Sequence, residues 1–94
     1  MKQVSNPLRE KSPLDVEVTA HARYQMNQHG LSVREVWSIL NGSNSVWSDT
    51  KPDGRTQHIS RAFDDRRGEI NLVWQIENDQ RILILNALIG ELTF

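Results

Sequence analysis

The chemistry open to this 94-residue chain is set by three histidines, eleven lysines and arginines, and the absence of cysteine. Without a thiol there are no disulfides, no Cys-ligated zinc, no iron–sulfur cluster and no thiol nucleophile. Histidine, arginine and lysine can act as acids, bases and anion-holding cations, and phosphodiester cleavage is one reaction that such groups can support. Metal-free cleavage of an RNA phosphodiester needs a base for the 2′-hydroxyl, an acid for the leaving oxygen, and cations for the extra phosphate charge. His21 and His58 are the acid–base candidates, with Arg61 as a catalytic cation. Lys51, Arg55 and Arg23 are candidates for holding phosphate. Four of them also have a plain structural reading: His21 hydrogen-bonded at a helix start, His58 on an exposed strand, Arg55 paired with Asp49 or Asp53, and Arg61 paired across strands with Glu69 or another acid. The histidines lack metal-ligand spacing, and no P-loop, dinucleotide fingerprint or Ser-His-Asp signature is present. Neither a metal nor a cofactor is expected.

The formal net charge is -1, which argues against coating nucleic acid through bulk charge. Its distribution is uneven. Residues 50–67 hold Lys51, Arg55, Arg61, Arg66 and Arg67 against Asp53, Asp64 and Asp65, and His58 sits among them. Residues 68–94 hold Arg81 against Glu69, Glu77, Asp79 and Glu91. A focused cationic site in residues 51–61 is therefore compatible with the near-neutral total. The N-terminal stretch has no apolar signal core, and no apolar run reaches the roughly 20 residues of a membrane helix. A cytoplasmic location and no membrane partner are expected.

The elements that must position these side chains are partly legible. Asn6-Pro7 and Ser12-Pro13 favour turns and extended chain, so residues 1–17 read as a flexible arm or linker that packs Leu8 and Leu14 on the body. Residues 18–94 read as a single α+β domain. Thr19 is an N-cap for a helix through His29, with Gly30 at C′. Ser32 and Glu35 form a capping box, and Leu31 and Val36 have staple spacing. Val33, Val36, Trp37 and Leu40 then make one apolar helical face. A DNA-reading helix-turn-helix is disfavoured, because the second helix exposes only Arg34 as a cation.

Strand patterns follow. Residues 46–49 are β-prone, Lys51-Pro52-Asp53-Gly54 is a turn, and residues 55–63 alternate with Thr56, His58 and Ser60 on one side. Residues 69–77 and 81–88 form a hairpin whose three-residue loop pairs Ile76 with Ile82, Trp74 with Ile84, Leu72 with Asn86 and Ile70 with Leu88 on the core face. The opposite face is half apolar. Gly90–Phe94 is a short tail with room for one more pairing. The expected order is α-α-β-β-β-β, two helices on a four-stranded antiparallel meander. Trp37 and Trp74 read as core. Trp47, near a short edge strand, is a candidate for stacking a base or anchoring a protein partner.

Thr19-Ala20-His21-Ala22, Met26, Gly30-Leu31-Ser32 and Glu35-Val36 resemble a recurrent bacterial pattern, T-x-H-A-x-x-x-M-x-x-x-G-[IL]-S-x-x-[DE]-V, followed by a small sheet with a D-G turn. The pattern looks like the superfamily of RelE- and BrnT-type toxins, which shares a ribonuclease fold with barnase, EndoU and some colicins. The motif spans residues 19–36, and the element order extends the likeness to about residues 18–89. Gln25 and His29 stand where members often carry arginine. The resemblance implies a RelE-like, metal-independent endoribonuclease or toxin domain acting on mRNA or tRNA, with a cognate antitoxin or immunity protein as a possible partner. The alternative is a non-catalytic binding protein, inhibitor or immunity-like or phage-type, that docks a partner on its open sheet face.

Overall fold

The computed structural model describes residues 2–10, 15–42, 45–77 and 81–89. The order is β1 (Lys2–Ser5), a 3₁₀ turn (Pro7–Glu10), β2 (Asp15–Val18), α1 (Ala20–Gln28), α2 (Val33–Gly42), β3 (Ser45–Thr50), β4 (Thr56–Asp64), β5 (Gly68–Glu77) and β6 (Arg81–Ile89). The expected α+β class and the two helices are present. The expected four-stranded meander is instead the centre of a six-stranded mixed sheet, ordered β1-β3-β4-β5-β6-β2. Residues read as a loose arm supply both outer strands. β1 pairs antiparallel with β3, and β2 pairs parallel with β6. Both are only four residues long, and their pairing depends on partners 40 to 66 residues away. Leu8 packs in the core as expected. Leu14, the 78–80 loop and the 90–94 tail lie outside the described residues.

Local chemistry explains the helices. Thr19 Oγ1 accepts the Ala22 N–H at 3.1 Å. His29 caps α1, and Gly30 follows at φ 64°, the left-handed conformation that closes a helix. In the capping box, Glu35 N–H donates to Ser32 Oγ and Ser32 N–H donates to Glu35 Oε1. Leu31, Val36 and Leu40 are buried, but Val33 is 45 % exposed, so the apolar face of α2 is turned from the expected stripe toward Ile39.

Both helices cover one sheet face, α1 along β6 and α2 over β4. That face carries Ile70, Leu72 and Trp74 of β5 and Ile82, Ile84 and Ala87 of β6, all buried. Full burial of each large aliphatic side chain contributes about 1.5–3 kcal/mol. The expected hairpin register holds from Glu77↔Arg81 to Trp74↔Ile84 and then shifts. A bulge between Val73 and Trp74 makes Val73 face Asn86, Leu72 face Ala87 and Asn71 face Leu88. The expected pairs of Leu72 with Asn86 and Ile70 with Leu88 are thereby replaced. The regular register would carry the Asn86 amide into an apolar core. The extra residue, Leu85, turns it out and brings Ala87 in. Side chains of the first helical turns bond to the irregular backbone: Thr19 Oγ1 donates to the Leu85 carbonyl and Gln25 Oε1 accepts the Ala87 N–H at 2.8 Å. Gln25 thus has a structural use where the resembled pattern often has arginine.

Candidate functional site

Arg67 closes one end of the helix-covered face. Its guanidinium donates to Asp64 Oδ2 at 2.7 Å, Glu35 Oε2 at 2.8 Å, the His29 carbonyl at 2.9 Å and the Gly30 carbonyl at 3.0 Å. The side chain is 13 % exposed. One residue thereby ties the β4–β5 turn to the α1–α2 turn and to the α2 capping box. The Ser32 N–H, and then Arg67, hold the Glu35 carboxyl below its ordinary range. Asp64 is lowered by the Arg66 and Arg67 backbone N–H groups and the Arg67 guanidinium. Arg67 is accounted for as structure.

The opposite end is open. Gly54, Arg55, Thr56, His58, Gln75, Ile76 and Glu77 line a cavity of about 440 Å³. No helical residue is among those that line it. The β3–β4 turn builds its rim: Lys51 N–H donates to the Arg55 carbonyl, Gly54 N–H donates to the Lys51 carbonyl, and Gly54 sits at φ 90°. This turn pairs Thr50 with Thr56 and Ser48 with His58.

His58 is the best-defined group there. Its Nδ1 lies 2.8 Å from Ser48 Oγ. Its ring rests on Trp74, centroids 4.6 Å apart and planes tilted by 31°. Trp74 is itself fixed by donating from Nε1 to Ser60 Oγ at 2.9 Å, with both residues fully buried. Nε2 makes no hydrogen bond to a described residue and is not a sealed polar atom. Burial pushes the His58 pKa down from 6.5, which favours a neutral imidazole at pH 7. An imidazole oriented through one nitrogen, with the other unbonded among the described residues and a cavity beside the ring, is equipped to move a proton.

The structure separates the remaining candidates. Arg55 lines the cavity with His58, although its Nε also lies 3.6 Å from Asp53 Oδ2. Lys51 pairs with Asp49 at 2.9 Å on the turn. Arg61 lies on the opposite sheet face, 3.0 Å from Asn71 Oδ1 and 3.2 Å from Glu69 Oε1. His21 and Arg23 are exposed on α1, and neither side chain has a partner among the described residues. No contact joins His21 to His58. Trp47 lies on the face away from the helices, opposite Gln3 and Ile59. Because β1 covers it, its strand is not the edge expected from sequence.

Ser48, Gln75, Glu77 and Trp74 are site residues that sequence reading did not single out. Ser48 had a signal: a turn centred on Asp53 that pairs 50 with 56 must also pair 48 with 58. No protein-family model, curated protein or solved structure matches the chain.

Proposed function

We propose that this chain is a small, metal-independent endoribonuclease of RelE-like type whose general base is His58. The observation that carries the reading is the His58 imidazole, oriented by Ser48, stacked on Trp74, and lining a cavity together with Arg55. The motif resemblance over residues 19–36 supports it independently. Nε2 of the neutral ring takes the proton of a 2′-hydroxyl. The O2′–P bond forms, the P–O5′ bond breaks, and solvent reaching the open cavity protonates the departing 5′-oxygen. Arg55 offsets the added phosphate charge. His21 and Arg61, remote from the cavity, have no step in this scheme.

Incubation of the protein with total RNA in EDTA tests it. Wild type gives fragments ending in a 2′,3′-cyclic phosphate, His58→Gln loses about 100-fold or more in rate, and His21→Ala retains activity. Intact RNA after incubation with folded wild type overturns the reading.

A second reading rests on the other face. Trp47, Ile59 and Val73 lie in one cross-strand row there, with Leu83 nearby, and no helix covers them. A non-catalytic binding protein would dock a partner, such as an antitoxin or immunity protein, on that row. Trp47→Ala would then abolish a stoichiometric complex, and His58→Gln would leave it intact.

A further inference from the structure

The N-terminal strand brings one more cation to the open end. Directly opposed residues of neighbouring strands share a face. Lys2 opposes Ser48, Ser48 opposes His58, and His58 opposes Trp74. Lys2 therefore stands on the same face as His58, two strand spacings or about 10 Å away. Between them lies the Ser48 hydroxyl and beside it the Thr50–Thr56 pair, whose Oγ1 atoms are 3.2 Å apart, while the Glu77 carboxylate lines the His58 cavity from the β5 side, away from β1. Lys2 is exposed and has no acidic partner among the described residues, whereas Lys51 is paired with Asp49, and Arg55 lies near Asp53.

We infer that Lys2 and the hydroxyls of Ser48, Thr50 and Thr56 form a second phosphate-binding shelf beside the His58 cavity, so that the site takes an oligonucleotide with at least two phosphates. The inference rests on the ribonuclease reading and names its substrate as a polyanion spanning β1 to β5. Arg55 serves the phosphate in the cavity, and Lys2 serves its neighbour along the chain. Hydroxyls suit such a shelf because they donate to phosphate oxygens without adding a competing negative charge.

Non-cleavable 2′-deoxy oligonucleotides test it on the full chain. A dinucleotide with one phosphate and a trinucleotide with two are titrated while the His58 ring protons are followed by NMR. Wild type should bind the trinucleotide about tenfold more tightly. Lys2→Ala should abolish that preference and lower the slope of log affinity against log salt by about 0.7. Lys2→Arg should keep both. Lys2 is exposed and β1 pairs through its backbone, so these variants keep the fold, which the same NMR spectra verify. An unchanged preference in Lys2→Ala, or no binding of either oligonucleotide by wild type, overturns the shelf. Lys2-dependent binding without RNA cleavage sinks the ribonuclease reading alone. Cleavage with no Lys2-dependent preference sinks the shelf alone.

Discussion

The two ends of the helix-covered sheet face use similar residues in opposite ways. At one end, Arg67 is sunk between two carboxylates and two carbonyls, and it joins three turns and caps. At the other, Arg55 and His58 border a cavity that no helical residue lines. Both arginines come from the same cationic stretch of sequence. What separates them is the number of fixed acceptors each side chain finds. A guanidinium with four is a fastener, and its charge is spent. One with a single weak contact at 3.6 Å keeps its charge for something else. The lesson is that a local excess of cations says little until each has been matched to its acceptors.

The largest effect comes from unfastening the closed end. Arg67→Ala strands two carboxylates and two helix-terminal carbonyls, and it should cost about 2–3 kcal/mol, read as a lower urea midpoint with an unchanged slope. Arg67→Lys keeps the charge but cannot reach four acceptors, so it should recover only part of the loss. Full recovery by lysine would mean that the planar fork is not what fastens this end.

A smaller effect tests how firmly the open end is built. Ser60→Ala removes the acceptor of the buried Trp74 Nε1–H among the described residues. An unsatisfied buried donor costs about 1–3 kcal/mol. Trp74 is also the floor under His58, so the substitution should broaden or shift the His58 ring resonances while leaving the Arg67 side-chain signals in place. Equal disturbance at both ends would break the distinction between them.

How much of this was legible followed the range of the interaction. The Thr19 cap, the Ser32–Glu35 capping box and the Asp53-Gly54 turn are built from residues within a few positions of one another, and they read directly. β2 carried a hint in the alternation Asp15-Val16-Glu17-Val18, but its partner is β6, 66 residues on. Nothing local distinguishes such a short edge strand from extended chain. The bulge at Val73/Trp74 was hidden because a hairpin loop fixes register only until an extra residue is inserted. His58 was read on the right side of its strand, with Thr56 and Ser60. That Arg61 must then face away follows from the same alternation, and the sheet places it there. The face the helices cover was legible in the apolar row Ile70, Leu72, Trp74, Ile82 and Ile84, all buried as expected apart from the register shift; how far along it the helices reach is a tertiary fact. That fact separates His58 from His21.

The smallest effect is a pH dependence that should divide the two ends in sequence. His58 has its pKa lowered by burial in the fold, against 6.5 when unfolded. Between the folded value and 6.5 the unfolded chain binds more protons, so stability falls as pH drops below about 6.5 and levels off below the folded pKa. The groups around the ring are Ser48, Trp74, Arg55 and Glu77, with Lys2 on the same face; burial is the cause of the shift, and the Glu77 carboxylate does not reverse its sign. Glu35 and Asp64 behave oppositely in range. Their folded pKa values lie below 4.5 and 3.8, so their contribution is full above those values and is lost as pH falls through the folded ones. Acid titration of stability should therefore show a first, shallow decline starting near pH 6.5, absent in His58→Gln, and a second below about pH 4, reduced in Arg67→Ala. A first decline that persists in His58→Gln would mean that the open end holds its histidine no differently from solvent, and would remove the burial on which its role as a neutral base depends.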